Sequence, residues 1–180
     1  MMNFSVIRFH FKSPLHLNSG KVDDYGSSLD TLHSDTLYAA IISTCAKLGF
    51  ETDPSKLGFT ISSAMPFAKN KSGQFTYFFP KIQFPFDPNN KSDPSIAKKV
   101  KKTQWLDKNL FEETLKGKAL ETKNINFDAP FAWSKGLNNE KVFLKKVMSR
   151  NKIEEDADIR TRIYYVDRLL FPPGNGFYIL

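Results

Sequence analysis

The late arginines carry the most chemical content in this sequence. Arg160, Arg162 and Tyr164 alternate, so a strand would set all three on one face, with Arg150 and Arg168 nearby. Guanidinium planes and a phenol can stack on bases while the charges hold phosphates. The competing reading is a solvated face whose charges pair with Glu154, Glu155, Asp156 and Asp158. The residues alone leave both readings open.

A second cluster is His33-Ser34-Asp35, which opens a helical pattern. Amides at a helix N-terminus can face a phosphate, and the preceding Gly20 to Ser28 loop is flexible enough to wrap one. Asp35 would repel an anion seated directly on the cap, so it would serve a backbone amide or a ribose hydroxyl instead. The alternative is an ordinary loop followed by an ordinary cap. His, Ser and Asp in direct succession cannot form a proton relay, which needs side chains converging from separate elements. A metal-free ribonuclease would need a base beside the attacking 2′-hydroxyl and a cation for the phosphorane; His16 or His33 with a lysine could supply these. For metals, His10, His16 and His33 are the only histidines. Asp23, Asp24, Asp30 and Asp35 lie near His33, but in no recognised ligand spacing. No metal and no cofactor is expected.

The elements that would position these groups follow from periodicity. Phe4 to Lys12 alternates, with Ile7, Phe9 and Phe11 on one face and Arg8, His10 and Lys12 on the other, so a strand with a basic free face is expected. Pro14 ends it, and His16 to Ser28 reads as a loop. Ser34 is the expected N-cap of a helix bearing Leu37, Tyr38, Ile41, Ile42, Cys45 and Leu48 at helical spacing, stopped by Gly49. Phe59 to Phe67 and Phe75 to Phe84 read as strands joined through Lys69 to Gln74, a turn containing Gly73. Pro85 to Thr103 reads as a loop ending in the lysine run Lys98 to Lys102, and Trp105 to Lys116 as a helix with Leu110, Phe111 and Leu115 inward and Gly117 as its stop. Lys118 to Asn139 shows no period. Val142 to Arg150 fits strand or helix, Ile159 to Phe171 a strand, Pro172 to Gly176 a turn, and Phe177 to Leu180 a strand.

This order predicts an α+β fold, ferredoxin-like (RRM-like) with insertions, in which helices cover one sheet face and leave the other free. The same architecture serves RNA in the RRM. A single domain over residues 1–180 is expected, with 85–104 a mobile basic insertion.

Composition agrees with a folded, polyanion-seeking chain. Of 180 residues 41% are hydrophobic and 17 are Phe, enough for a core. The formal net charge of +7 and sequence pI of about 9.4 favour a polyanionic partner. Most of the positive charge is lysine, which suits phosphate contact better than base readout. The single cysteine, Cys45, excludes a disulfide framework and fits a reducing cytoplasm. No signal peptide and no apolar run of membrane-spanning length is seen, so no membrane partner is expected.

Several segments, in order, resemble the 5′-tag-capping RAMP subunits of type III-A CRISPR complexes, the family of the fourth Csm protein. These are Ser13-Pro-Leu-His-Leu17, Leu32-His-Ser-Asp-Thr-Leu37, Ile61-Ser-Ser-Ala-Met-Pro-Phe67, Tyr77-Phe-Phe-Pro-Lys81, the stretch from Ser149, Tyr164-Tyr-Val-Asp-Arg168 and Phe177-Tyr-Ile-Leu180. The resemblance spans nearly all of this chain but only about the first half of a typical member. The second RAMP domain, with its Gly-rich loop, is therefore expected to be absent.

The resemblance implies a non-catalytic RAMP protein that grips the repeat-derived 5′ tag of the guide RNA. It also implies bridging between the polymerase-like large subunit and the backbone RAMP filament of the Csm complex. His16, His33, Ser34 and Asp35 would belong to the tag-binding region, together with Ser19 and Gly20 in the loop between. Residues 142–171 would form a β-hairpin thumb region, with Ser149 to Arg162 the thumb or its base and Arg150 a phosphate contact; Arg160, Arg162 and Tyr164 would complete the RNA-binding set. Other readings are a metal-independent guide-processing endoribonuclease, as in some related RAMP proteins, and a protein-binding adaptor whose charge serves solubility.

Overall fold

A computed structural model describes residues 5–18, 27–82, 94–135, 141–152 and 162–180. The architecture is mixed α+β. The chain divides into two compact units, Met1–Ala64 with Phe143–Leu180, and Met65–Val142.

In the first unit, β1 (Ile7–Phe9) pairs antiparallel with β9 (Gly176–Ile179), Arg8 standing opposite Tyr178. The strand is shorter than the alternation over Phe4 to Lys12 predicts. Its partner β9 offers only four residues, so His10 and Lys12 lie beyond the ladder and Ile7 is 53% exposed. Of the predicted basic strand face, only Arg8 is within the strand. β9 itself is buried along its length, with Phe177, Tyr178 and Ile179 all at most 3% exposed. Phe177 anchors an aromatic cluster. The Phe171 ring lies 5.0 Å from it edge-on, Phe11 stacks on Phe171 at 5.0 Å, and Phe143 meets Phe171 at 5.7 Å. Such offset and edge-to-face pairs add to the burial of their large apolar surfaces.

The helix α1 (Ser34–Lys47) is close to the predicted span, and Gly49 ends it with φ +75°, a conformation that favours glycine. Its cap differs from expectation. The N-cap is His33, whose side chain makes no capping bond, and Ser34 is the first helical residue. The Ser34 N–H donates instead to Ser63 Oγ at 3.1 Å, so a distant hydroxyl does the capping. The apolar residues of α1 are only half-buried, and Leu48 and Phe50 just beyond it are each 66% exposed. A short helix, α2 (Pro54–Leu57), follows with Asp53 as its cap.

The second unit is built on a sheet in which β2 (Met65–Lys69) pairs with β3 (Phe75–Pro80), and β3 with β4 (Trp105–Asp107). Next, β4 pairs with β6 (Phe131–Ser134), and β6 with β5 (Ile125–Asp128). All these pairs are antiparallel except β4 with β6. The β2–β3 hairpin turns through Gly73 at φ +85°, as the sequence predicts, although β2 begins six residues later than Phe59.

Three further expectations are corrected in this unit. The lysine run is helical, α3 (Pro94–Lys102), and not a loop; Ile96 and Val100 turn inward at i,i+4 and lysine is a good helix former. Residues 83–93 lie outside the described residues, so the predicted insertion at 85–104 is described only from Pro94 onward. Trp105 begins β4, and the helix α4 (Lys108–Leu115) starts three residues later; Leu110 is buried but Leu115 is 63% exposed. The stretch read as irregular holds a 3-10 turn (Thr122–Asn124) and both β5 and β6. Strands of four residues are too short to show a period. The core here is Leu106, Leu110, Leu120, Ile125 and Ala132, with Phe111 and Phe127 packed against it.

Asp107 ties this unit together. Its Oδ1 accepts the Leu110 N–H at 2.9 Å, capping α4, and its Oδ2 accepts the Ser134 N–H at 3.2 Å. The residue is 1% exposed, and burial pushes its carboxyl above the usual carboxylate range.

Candidate nucleic-acid interface

Arg150, Arg162 and Arg168 sit on a two-stranded antiparallel ribbon of the first unit, β7 (Leu144–Lys152) and β8 (Arg162–Leu170), paired along nine residues each. Val147, Ile163, Tyr164, Tyr165 and Val166 are strong strand formers, which settles the strand-or-helix ambiguity at Val142 to Arg150. The register sets Arg150 opposite Tyr164, Met148 opposite Val166 and Lys146 opposite Arg168. Alternation puts these six residues on one face of the ribbon. The other face carries Val147, Ser149, Ile163, Tyr165 and Asp167.

The first face is cationic. Among the described residues Lys146, Arg150 and Arg168 form no ion pair, and the face bears no carboxylate. Lys146 and Arg168 are like charges directly opposite each other, an arrangement that destabilises a ribbon unless an anion lies between them. Arg150 is exposed and Tyr164 half-buried, so a charge and a ring are presented side by side. Arg162 is the first residue of β8, in register with Lys152. Arg160 and the carboxylates Glu154, Glu155, Asp156 and Asp158 lie outside the described residues.

A two-stranded ribbon is marginal by itself in water, and this one is fastened at its base. Val166 and Leu169 are buried, at 5% and 0% exposure. Leu15 bridges Leu169 through two backbone hydrogen bonds of 2.9 and 2.7 Å. The next residue, His16, places Nδ1 at 2.8 Å from the Asp167 carbonyl oxygen. A carbonyl only accepts, so Nδ1 is the donor and carries a proton. Nε2 is shielded from solvent and meets no partner among the described residues. The Ser28 N–H donates to Asp167 Oδ2 at 3.2 Å, and Lys145 Nζ donates to the Ser28 carbonyl at 3.3 Å while pairing with Asp30.

Thus the two ends of the early loop are strapped to the ribbon. Leu17 and Ser28 close on each other as well, the Leu17 N–H donating to Ser28 Oγ at 3.0 Å and the Leu29 N–H to the Leu17 carbonyl at 2.9 Å. Ser19 and Gly20 lie outside the described residues. The structure therefore brings His16 to the arginine ribbon, with one ring nitrogen committed to holding it.

The helix-start cluster stands apart from that strap in its bonding. His33 is exposed, Ser34 is held by Ser63, and Asp35 Oδ1 accepts the Thr36 N–H at 2.8 Å. Ser34, Asp35, Tyr38, Phe59, Thr60 and Ile61 line a shallow hollow there. Arg8, His10 and Lys12 are all exposed, and Lys12 lines a second hollow with Phe11, Ser13, Pro14, Leu170 and Phe171. Sequence reasoning missed Lys146 and the strap residues Ser28, Asp30, Lys145 and Asp167. The first was legible as alternation, Lys146-x-Met148-x-Arg150; the strap joins residues up to 151 positions apart and leaves no local signal. Among the described residues no group of three His, Cys, Asp or Glu side chains is placed to hold a metal ion, and no helix is long and apolar enough to cross a membrane.

The fold belongs to a recognisable class, an α+β architecture with a mostly antiparallel sheet that also occurs in type III-A CRISPR complexes. No protein-family model matches the sequence, and no curated protein does. Solved structures match over 97% of the chain. One is a crystal structure of the Csm1–Csm4 cassette in complex with AMPPNP, at 20% identity and a TM-score of 0.59. Another is the same cassette with cA4, at 22% identity and 0.58. A third is the Csm3–Csm4 subcomplex of the type III-A CRISPR-Cas interference complex, at 18% identity and 0.55. The chain spans 58%, 57% and 56% of those chains' lengths, respectively.

Proposed function

We propose that this chain is a non-catalytic, RNA-binding RAMP protein of a type III-A Csm complex, corresponding to the first half of the subunit that grips the guide RNA's 5′ tag. Csm4 is the component common to the similar solved complexes, and the segment series read in the sequence points to the same subunit. The partners in this reading are the guide RNA, the polymerase-like large subunit and the backbone RAMP subunit. The fold reads as ferredoxin-like, with the β7–β8 ribbon as its thumb.

The observation that carries the proposal is the carboxylate-free face bearing Lys146, Arg150 and Arg168 with Tyr164 opposite Arg150. Such a face fits a strand of alternating phosphates and bases better than it fits solvent. Tag-bearing RNA should bind this chain with an affinity that falls steeply with salt, and should compete better than a scrambled RNA of equal length. Equal, weak binding of any polyanion, together with failure to join the large subunit, would overturn the reading. Incubating repeat RNA with the protein in EDTA tests the non-catalytic part. Sequence-specific cleavage that His33→Ala abolishes would make the chain a metal-independent endoribonuclease instead.

A further inference from the structure

In the second unit, α3 carries Lys98, Lys99, Lys101 and Lys102 within nine residues and no acidic residue. All four are exposed. At about 100° of rotation per residue they fill an arc of about 160°, opposite Ile96 and Val100. Those two are half-buried, so the helix is seated by its apolar side and turns its cations outward.

The seat is fixed by named bonds. Lys81 Nζ donates to the Val100 carbonyl at 2.9 Å, and the Thr103 hydroxyl donates to the Lys99 carbonyl at 3.0 Å. One or two lysines would complement the C-terminal end of the helix dipole. Four create the pairs Lys98–Lys101, Lys98–Lys102 and Lys99–Lys102 at i,i+3 and i,i+4, where like charges repel. Among the described residues none of the four has an ion pair. Ammonium groups are compact point charges without the fork that reads a base edge. With both apolar residues turned into the protein, no apolar face remains for a membrane surface.

We propose that α3 is a second RNA contact, a phosphate-holding face on the Met65–Val142 unit that binds the sugar-phosphate backbone without regard to sequence. It rests on the RNA-binding reading above and adds to it a site outside the arginine ribbon.

The test uses the 180-residue chain and a variant with all four lysines changed to Gln, which preserves helix propensity. Affinity for tag-bearing RNA and for an unrelated RNA is measured from about 50 to about 300 mM salt, beside Arg150→Ala/Tyr164→Ala. At roughly 0.7 counterions released per phosphate of a single strand, the Gln variant should lose two to three units of salt slope. It should lose about 10- to 100-fold in affinity at about 0.1 M salt, equally for both RNAs, and the four-Arg variant should restore the slope. An unchanged slope in the Gln variant, while Arg150→Ala/Tyr164→Ala weakens binding, overturns the α3 assignment and leaves the RNA reading standing. Lysine-dependent binding of phosphatidylserine vesicles with that same unchanged slope also overturns it. A parent chain that binds neither RNA overturns both.

Discussion

Arg150 and Tyr164 are direct cross-strand partners on the β7–β8 ribbon, the guanidinium-bearing residue exposed and the phenol-bearing one half-buried. Sequence alternation had grouped Tyr164 with Arg160 and Arg162. Alternation along β8 adds Arg168 to that face, and the antiparallel register adds Arg150 and Lys146 from the neighbouring strand. That pairing makes the ribbon a candidate grip, because a ring can take a base while the cations beside it take the flanking phosphates.

Replacing these two residues should therefore separate stacking from charge. Tyr164→Ala should weaken RNA binding by about 1–3 kcal/mol per base stacked with little change in salt slope. Arg150→Ala should lower the slope by about 0.7 units if it holds one phosphate of a single strand. Fluorescence anisotropy over a salt series distinguishes them. Equal slope losses in both variants would remove the stacking role.

The strap at the ribbon's base should show energetic coupling. Asp30 is 16% exposed and pairs with Lys145, which is 45% exposed. A pair with one partner largely buried and the other part-exposed lies toward the upper end of the range of exposed ion pairs. A double-mutant cycle of Asp30→Ala and Lys145→Ala should give a coupling of about 1 kcal/mol in urea unfolding. Zero coupling would mean that the loop ends are held by Asp167 and the Leu15–Leu169 bridge alone.

Much of the fold was legible wherever periodicity ran long. The 14-residue α1, the β2–β3 hairpin and the ribbon strand β8 are read from apolar spacing, whereas the stretch that forms β7 left strand and helix both open. What failed to show were the short elements, β4 at three residues and β5 and β6 at four each. The partners of β4 are distant in sequence, and β5 and β6, though neighbours in the chain, are each too short to show an alternation. The lysine run of α3 misled for a different reason: its inward side is only Ile96 and Val100, too few to outweigh a composition that resembles a loop. Within the candidate site, Arg150 and Tyr164 were visible as residue types. The His16–Asp167 and Ser28–Asp167 bonds were not, since long-range polar contacts follow from topology.

Asp107 gives a pH prediction. Burial raises its carboxyl above the ordinary 3.8, outweighing the N–H bonds from Leu110 and Ser134 that pull the other way. The folded state thus holds a proton that the unfolded chain has released. Its contribution to stability is present in full below the unfolded value and is lost as pH rises through the raised folded value. Asp107→Asn should remove that component from the parent-minus-variant stability curve measured by urea unfolding across the acid range. At neutral pH the variant should be less stable by about 1–3 kcal/mol, because one amide side chain cannot accept from both buried N–H donors. A variant with unchanged stability would mean that water replaces one of those bonds.

The cap of α1 separates what the sequence suggests from what the structure shows. Serine is a favoured N-cap, and Ser34 stands where a cap is expected, yet its own N–H is the group being satisfied, by Ser63 Oγ. Ser34→Ala should therefore be nearly neutral, within about 0.5 kcal/mol, as for a side chain at an ordinary first-turn position. Ser63→Ala should cost about 1 kcal/mol, since it strips an acceptor from a part-buried helix-start amide. Thermal unfolding ranks the two variants, and hydrogen exchange at the Ser34 amide should quicken only in Ser63→Ala. The reverse order would return the capping role to Ser34 and detach α1 from the Ser62–Ala64 segment that now holds its start.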